Sequence, residues 1–191
     1  MYSNEYQNPS YMNILIVHPF DESTNVLERV YNGCAYDVLH RRNLTRVEVE
    51  SAIESGSYDR VVLLGHGTPE GLCNMWTGSY VFDRGSYKNK VAPRGIETIA
   101  TWCNANEFFL KFDEPKDTFS TGMFISEQRE ARRYFVEEIE DEVIEKQFRL
   151  FADVLRVAVT LPIDQVRTYI DENYVGLDPI TRFNRENMVM G

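Results

Sequence analysis

The chain has 191 residues, a length that favours one domain and holds ample material for a core. Its apolar share of 43% and its many aromatics exclude a disordered class. A net charge of −10 argues against a nucleic-acid partner, because phosphate needs clustered Lys and Arg and the densest basic spot is only "HRR" at His40 to Arg42.

Residues 1–11 are polar and lack a basic-then-apolar signal pattern, so they read as a tail. Residues 12–191 are expected to form a single α/β domain. "MNILIVH" (Met12 to His18) is a short apolar run of the kind seen in buried strands. "PFDEST" is a turn in which Asp21 and Glu22 serve as a helix cap and dipole feature. "STNVLERVYNGC" starts on capping residues and spaces Val26, Val30 and Cys34 by four, which predicts a helix with Cys34 on its apolar face. "AYDVLH" reads as a second short strand. "TRVEVESAIESGS" admits two readings, since Val47 and Val49 alternate as in a strand while the acidic tail and Gly56 resemble a helix end.

"DRVVLLGHG" (Asp59 to Gly67) is the clearest strand, apolar on both faces. "TPEGLCNMWTGSYVFDRGS" reads as a loop that can close into a hairpin, with Cys73 in the loop. "YKNKVAPRG" is a short helix or turn. "ETIATWC" is the next buried strand, and "NANEFFLKF" a helix with Phe108, Phe109 and Phe112 inward. Thr118 to Ser126 reads as a further strand. From Glu127 the pattern becomes helical. Ala131, Phe135, Ile139 and Val143, then Phe148, Phe151, Leu155 and Ala158, form one apolar stripe, with the acidic cluster Glu137 to Glu142 on its solvated side. Pro162 closes it, and two more helices begin near Pro162 and Pro179. Strands alternating with helices imply a mostly parallel sheet flanked by helices, with 127–191 as a helical C-terminal extension packed on it. Ligands of such sheets sit beyond the carboxyl ends of the strands.

Two reactive residues fall at such ends. His66 follows "RVVLLG" and Cys103 follows "TIATW". If these strands are parallel neighbours, both side chains reach one rim, where an imidazole can take the thiol proton and activate sulfur as a nucleophile. Gly67, lacking a Cβ, lets its N–H approach a carbonyl closely, and with the N–H of Cys103 it makes a candidate oxyanion hole.

"VVLLGHGTPEGL" followed by "ETIATWCNANEF" resembles the caspase-like cysteine peptidases of clan CD. In that family one apolar strand ends in the catalytic His followed by Gly or Ser, and a second ends in the nucleophilic Cys. The resemblance covers Asp59 to Asn106 and implies a caspase-like three-layer sandwich. It also implies His66 as general acid/base, Cys103 as nucleophile, Gly67 as oxyanion donor, and a peptide or protein substrate. Cys103 lies in Thr101-Trp102-Cys103-Asn104-Ala105, 37 positions after His66. True caspases carry Q-A-C-[RQG]-G about 50 residues after their His, so the likeness is to the wider clan and its small bacterial members. In that family the strand after the cysteine helps line the substrate pocket, which makes Ser120 and Thr121 candidates for substrate contact, alongside Asn104 and Glu70. Glu70, Glu107 and Asp113 are expected near the same edge, where they suit a basic substrate side chain.

The remaining features point to no cofactor. Three scattered histidines and three scattered cysteines offer no metal-ligand spacing and no disulfide framework, and reduced thiols suit a cytoplasmic setting. No Gly-rich phosphate loop is present. No apolar run approaches the roughly 18 residues of a membrane span. His18 ends the first strand at the same sheet edge, His40 is expected to be exposed, and Trp102 reads as core packing behind the thiol. The alternative to a peptidase is a catalytically inactive caspase-like scaffold or a flavodoxin-like interaction module, since "ILIVHPFDESTNVLERVY" is similar to the opening of Toll/interleukin-receptor-like domains.

Overall fold

A computed structural model describes residues 12–113, 115, 117–135 and 138–191. The expected tail, residues 1–11, lies outside the described residues. The strands are β1 (Ile14–Val17), β2 (Asp37–Leu39), β3 (Arg60–Leu64), β4 (Gly67–Thr68), β5 (Gly71–Asn74), β6 (Ser79–Asp83), β7 (Glu97–Thr101), β8 (Thr118–Thr121) and β9 (Met188–Met190). Six of them form one sheet in the order β2-β1-β3-β7-β8-β9. The first five run parallel, and β9 pairs antiparallel with β8. β3 and β7 are direct neighbours in register from Arg60 opposite Glu97 to Leu64 opposite Thr101. β4, β5 and β6 make a separate antiparallel sheet inserted between them in sequence.

The helices are α1 (Arg46–Ser55), α2 (Arg84–Ser86), α3 (Ala105–Phe109), α4 (Gln128–Tyr134), α5 (Asp141–Ala158), α6 (Ile163–Asn173) and α7 (Pro179–Glu186). Side chains alternate along the fully apolar strands, so each strand feeds two cores. Ile14, Ile16, Val62 and Leu64 pack against the 3-10 helix Glu22–Val30, α5 and α6. Leu15, Val17, Val61 and Leu63 pack against α1, α3 and the small sheet. The result is an α/β protein with helices on both faces of a mostly parallel sheet and a helical C-terminal region. Among the described residues no helix is long and apolar enough to cross a membrane.

Several elements differ from expectation for visible reasons. The two-way stretch at 45–57 is helix α1, because Thr45 and Glu48 form a capping box: Glu48 N–H donates to the Thr45 hydroxyl and Thr45 N–H to the Glu48 carboxylate. Glu22–Val30 is a 3-10 rather than an α-helix, and Cys34 lies beyond its end rather than on its face. Cys73 sits on β5, not in a loop, since the Gly-rich segment makes three strands rather than one hairpin. His40 is not exposed but stacked on His18, ring centroids 4.7 Å apart. β8 stops at Thr121 rather than Ser126.

The expected single stripe after Glu127 is broken into α4 and α5. Phe135 is extended and ends α4. The acidic run explains the break: carboxylates disfavour a helix C-terminus and favour an N-terminus, and Asp141 and Glu142 occupy the first turn of α5. Ile144 rather than Val143 faces inward. Residue 137 of the acidic cluster lies outside the described residues. β9 adds a strand where only helices are expected, and it makes 127–191 part of the sheet as well as of the helical layer.

Candidate active site

Both candidate residues emerge where adjacent parallel strands end. β3 ends at Leu64, and Gly65 at φ 130° turns the chain into His66 with a backbone only glycine adopts freely. The His66 carbonyl accepts the Cys73 N–H at 2.8 Å, which fastens this turn to β5. β7 ends at Thr101. Trp102 then turns back into the core, fully buried, its indole N–H donating to the Thr68 carbonyl at 3.0 Å. Cys103 follows on the opposite side. Asn104 takes the left-handed conformation, φ 64° and ψ 29°, donates its N–H to the Gly122 carbonyl at 2.9 Å, and launches α3.

His66 and Cys103 line one cavity, together with Thr24, Ser126, Phe124 and Phe148. It is narrow: about 20 Å³, room for roughly one water. Gly67 is not among the residues lining it, and a Cβ there would come within 2.2 Å of the Trp102 ring. The missing side chain is therefore also what lets Trp102 pack behind the cysteine.

The imidazole does not spend its contacts on sulfur. His66 Nε2 lies 2.7 Å from the Ser23 hydroxyl and 3.5 Å from Asp21 Oδ1. Asp21 caps the 3-10 helix by accepting the Ser23 N–H at 3.0 Å, and accepts the Ser23 hydroxyl at 2.6 Å. Burial alone pushes the Asp21 carboxyl up. The Ser23 hydrogen bonds and the field of His66 outweigh it and hold the group below its ordinary value.

The thiol is held by the segment after β8. Cys103 Sγ lies 3.5 Å from the Phe124 carbonyl and 3.7 Å from Glu130 Oε1. The other Glu130 oxygen accepts the N–H of Ser126 at 2.8 Å, its hydroxyl at 3.1 Å and the N–H of Glu127 at 3.2 Å. Burial first, then the Glu130 charge, push the Cys103 thiol up to about 12.

The other candidates are more scattered. Ser120 and Thr121 are buried, and the Thr121 hydroxyl donates to the Trp102 carbonyl at 2.9 Å, bracing the turn that carries Cys103. Glu70 is exposed and paired with Lys111. Glu107 is exposed on α3. Asp113 is not at the rim. It lines a depression with Gly95, Ile96 and Asp117, residues that precede β7 and β8 at the opposite end of the sheet. His18 is fully buried between the Tyr31 hydroxyl at 3.0 Å and the Thr24 hydroxyl at 3.1 Å. Burial, then His40 and His66, lower it to about 3, so it stays neutral. Among the described residues no group of three His, Cys, Asp or Glu is placed to hold a metal ion.

Three contacts escape a reading of the sequence. Ser23 and Asp21 read as a cap alone, yet they also reach His66 from the end of β1. Glu130 is visible in "SEQRE" as a helix-start carboxylate, but nothing in that motif points to a cysteine 27 positions earlier. No protein-family profile and no curated protein sequence matches the chain.

Proposed function

We propose that the protein is a small cysteine peptidase in which Cys103 is the nucleophile and His66 the general acid/base. The observation that carries this reading is the pairing of β3 with β7, whose carboxyl ends deliver an imidazole and a thiol to one cavity. In the reaction, the S–H proton passes to the imidazole and sulfur attacks the scissile carbonyl carbon. The tetrahedral oxyanion is received by the N–H groups of Gly67 and Cys103. The imidazolium then protonates the departing amine, and water hydrolyses the thioester to release the acid and restore the thiol. Free cysteines at 34, 73 and 103 support a reducing, cytoplasm-like setting for this chemistry.

With sulfur held against the Phe124 carbonyl and Glu130 in a cavity of about 20 Å³, the described conformation is read as a resting one. Sulfur becomes nucleophilic when the segment from Gly122 to α4 moves and withdraws the Phe124 carbonyl and Glu130. A fluorogenic peptide library scanned at the residue before the scissile bond tests the reading. Wild type should cleave a subset, and Cys103→Ala and His66→Ala should each abolish cleavage. Turnover unchanged by Cys103→Ala would sink it.

The sealed thiol favours a second reading, a catalytically inactive scaffold that works through protein contacts. In that case iodoacetamide should label Cys34 ahead of Cys103 under all native conditions, with no peptide accelerating the reaction at Cys103.

A further inference from the structure

We propose that Asp21 and Ser23 are positioning residues for His66, fixing its neutral ring as the Nε2–H tautomer so that Nδ1 is the nitrogen that exchanges protons. The catalytic meaning of this inference rests on the peptidase reading; its geometry does not. Ser23 has a single hydroxyl proton. Asp21 Oδ1, 2.6 Å away, accepts it, because an ionised carboxylate only accepts. Only lone pairs of Ser23 Oγ then remain for His66 Nε2 at 2.7 Å, so Nε2 is the donor. Asp21 Oδ1, 3.5 Å from the same nitrogen, places a negative charge beside the donated proton.

A neutral imidazole that carries its proton on Nε2 has its lone pair on Nδ1. Among the described residues nothing hydrogen-bonds Nδ1. When the S–H bond of Cys103 breaks, the N–H bond forms at Nδ1, the ring becomes an imidazolium donating from both nitrogens, and Asp21 faces the new charge. The amine leaving group takes the proton back from Nδ1, and the ring returns to its starting tautomer. Residues that cap a helix thereby also orient a base that follows a different strand. Capping alone would leave the ring free to choose its tautomer.

The test reads the ring directly. The full chain, labelled with ¹⁵N-histidine, is studied by long-range ¹H–¹⁵N NMR, with His66→Gln identifying the signals of residue 66. Wild type and Ser23→Thr should show the Nε2–H form. Ser23→Ala should show a mixture of tautomers, and so should Asp21→Ala, which removes the acceptor of the Ser23 proton. Circular dichroism confirms that each variant is folded. In peptide turnover Ser23→Ala should lower kcat on the order of tenfold with KM unchanged, and Ser23→Thr should restore it. A wild-type Nδ1–H ring, or a Ser23→Ala ring still wholly Nε2–H, overturns the proposal. A loss of kcat without a tautomer change also overturns it, because the role is then structural. If wild type cleaves no peptide, the peptidase reading fails while the tautomer still decides this one.

Discussion

Glu130 is the charged group that meets the Cys103 thiol, and after burial its charge is the main influence holding the proton on sulfur. Its carboxylate both caps α4 and faces sulfur, so charge and cap can be separated by one substitution. Glu130→Gln keeps the acceptor oxygen and removes the charge. The Cys103 thiol should then titrate at lower pH, and iodoacetamide labelling at pH 8 should rise about three- to tenfold, read by mass spectrometry of the Cys103 peptide. An unchanged rate would mean that burial alone protects sulfur. His18 allows a second residue-scale prediction. Its folded value, about 3, lies below the ordinary 6.5, so the unfolded chain binds more protons in that window. Stability contributed by keeping it neutral is complete above pH 6.5 and shrinks as pH falls towards 3. Between pH 6.5 and 5 the loss is roughly 2 kcal/mol. Urea unfolding at both pH values should show a smaller drop in His18→Gln than in wild type. His66 and Cys103 were legible in the sequence because apolar strands announce their own ends. Glu130 was not, because its contact with sulfur exists only once β8 and α4 have folded back over the rim.

Elements were legible where a local signal agreed with tertiary packing. "TRVE" is a capping-box sequence, and it outweighs the alternation of Val47 and Val49. Val49 and Ile53 face the core while Val47 is exposed, the spacing of a helix. β9 escaped because "MVM" follows α7 with no turn signal, and a three-residue edge strand is specified by its partner β8. Arg60 illustrates an element-scale constraint that no motif reveals. It opens β3 fully buried, donates to Glu97 of β7, and donates to the carbonyls of Val159 and Leu161 at 2.6 and 2.8 Å. One guanidinium thus joins the start of two central strands to the segment that follows α5. Arg60→Met removes the charge and leaves one buried carbonyl, one partly buried carbonyl and one carboxylate without this donor. The expected loss is about 2–4 kcal/mol, the upper part discounted because Glu97 is partly solvated. Thermal unfolding should shift down by about 5–15 °C. A shift under about 2 °C would show that water satisfies the freed groups.

Among the described residues the molecule has two large cores and one small one. The large cores lie on the two faces of the sheet and hold β3 and β7 rigidly in register. The small one is built on four buried side chains, Ile125, Ala131, Ile144 and Ile180, and three of its partly buried neighbours, Phe135, Ile139 and Phe183, lie around α4 and α7. A fully buried Ile or Leu stabilises by about 1.5–3 kcal/mol before ordering entropy is subtracted. A unit with so few such residues is expected to open at a lower free energy than the sheet, although Phe124 of the same segment tethers it to a large core by packing on Phe151. That unit carries Glu130, which meets the Cys103 thiol. The partition separates what must stay fixed, the two strand ends, from what must move, the segment sealing sulfur. It leads to a measurable expectation for hydrogen–deuterium exchange on the intact chain. Amides of 122–134 should exchange faster than those of β3, β7 and α5. Modification of Cys103 by N-ethylmaleimide should accelerate 122–134 further, because an adduct cannot fit a cavity of about 20 Å³. β3 and β7 should keep their protection in both states. If 122–134 exchanges only with the global unfolding of the sheet, the seal is not an independent unit, and sulfur has no route to a substrate short of unfolding.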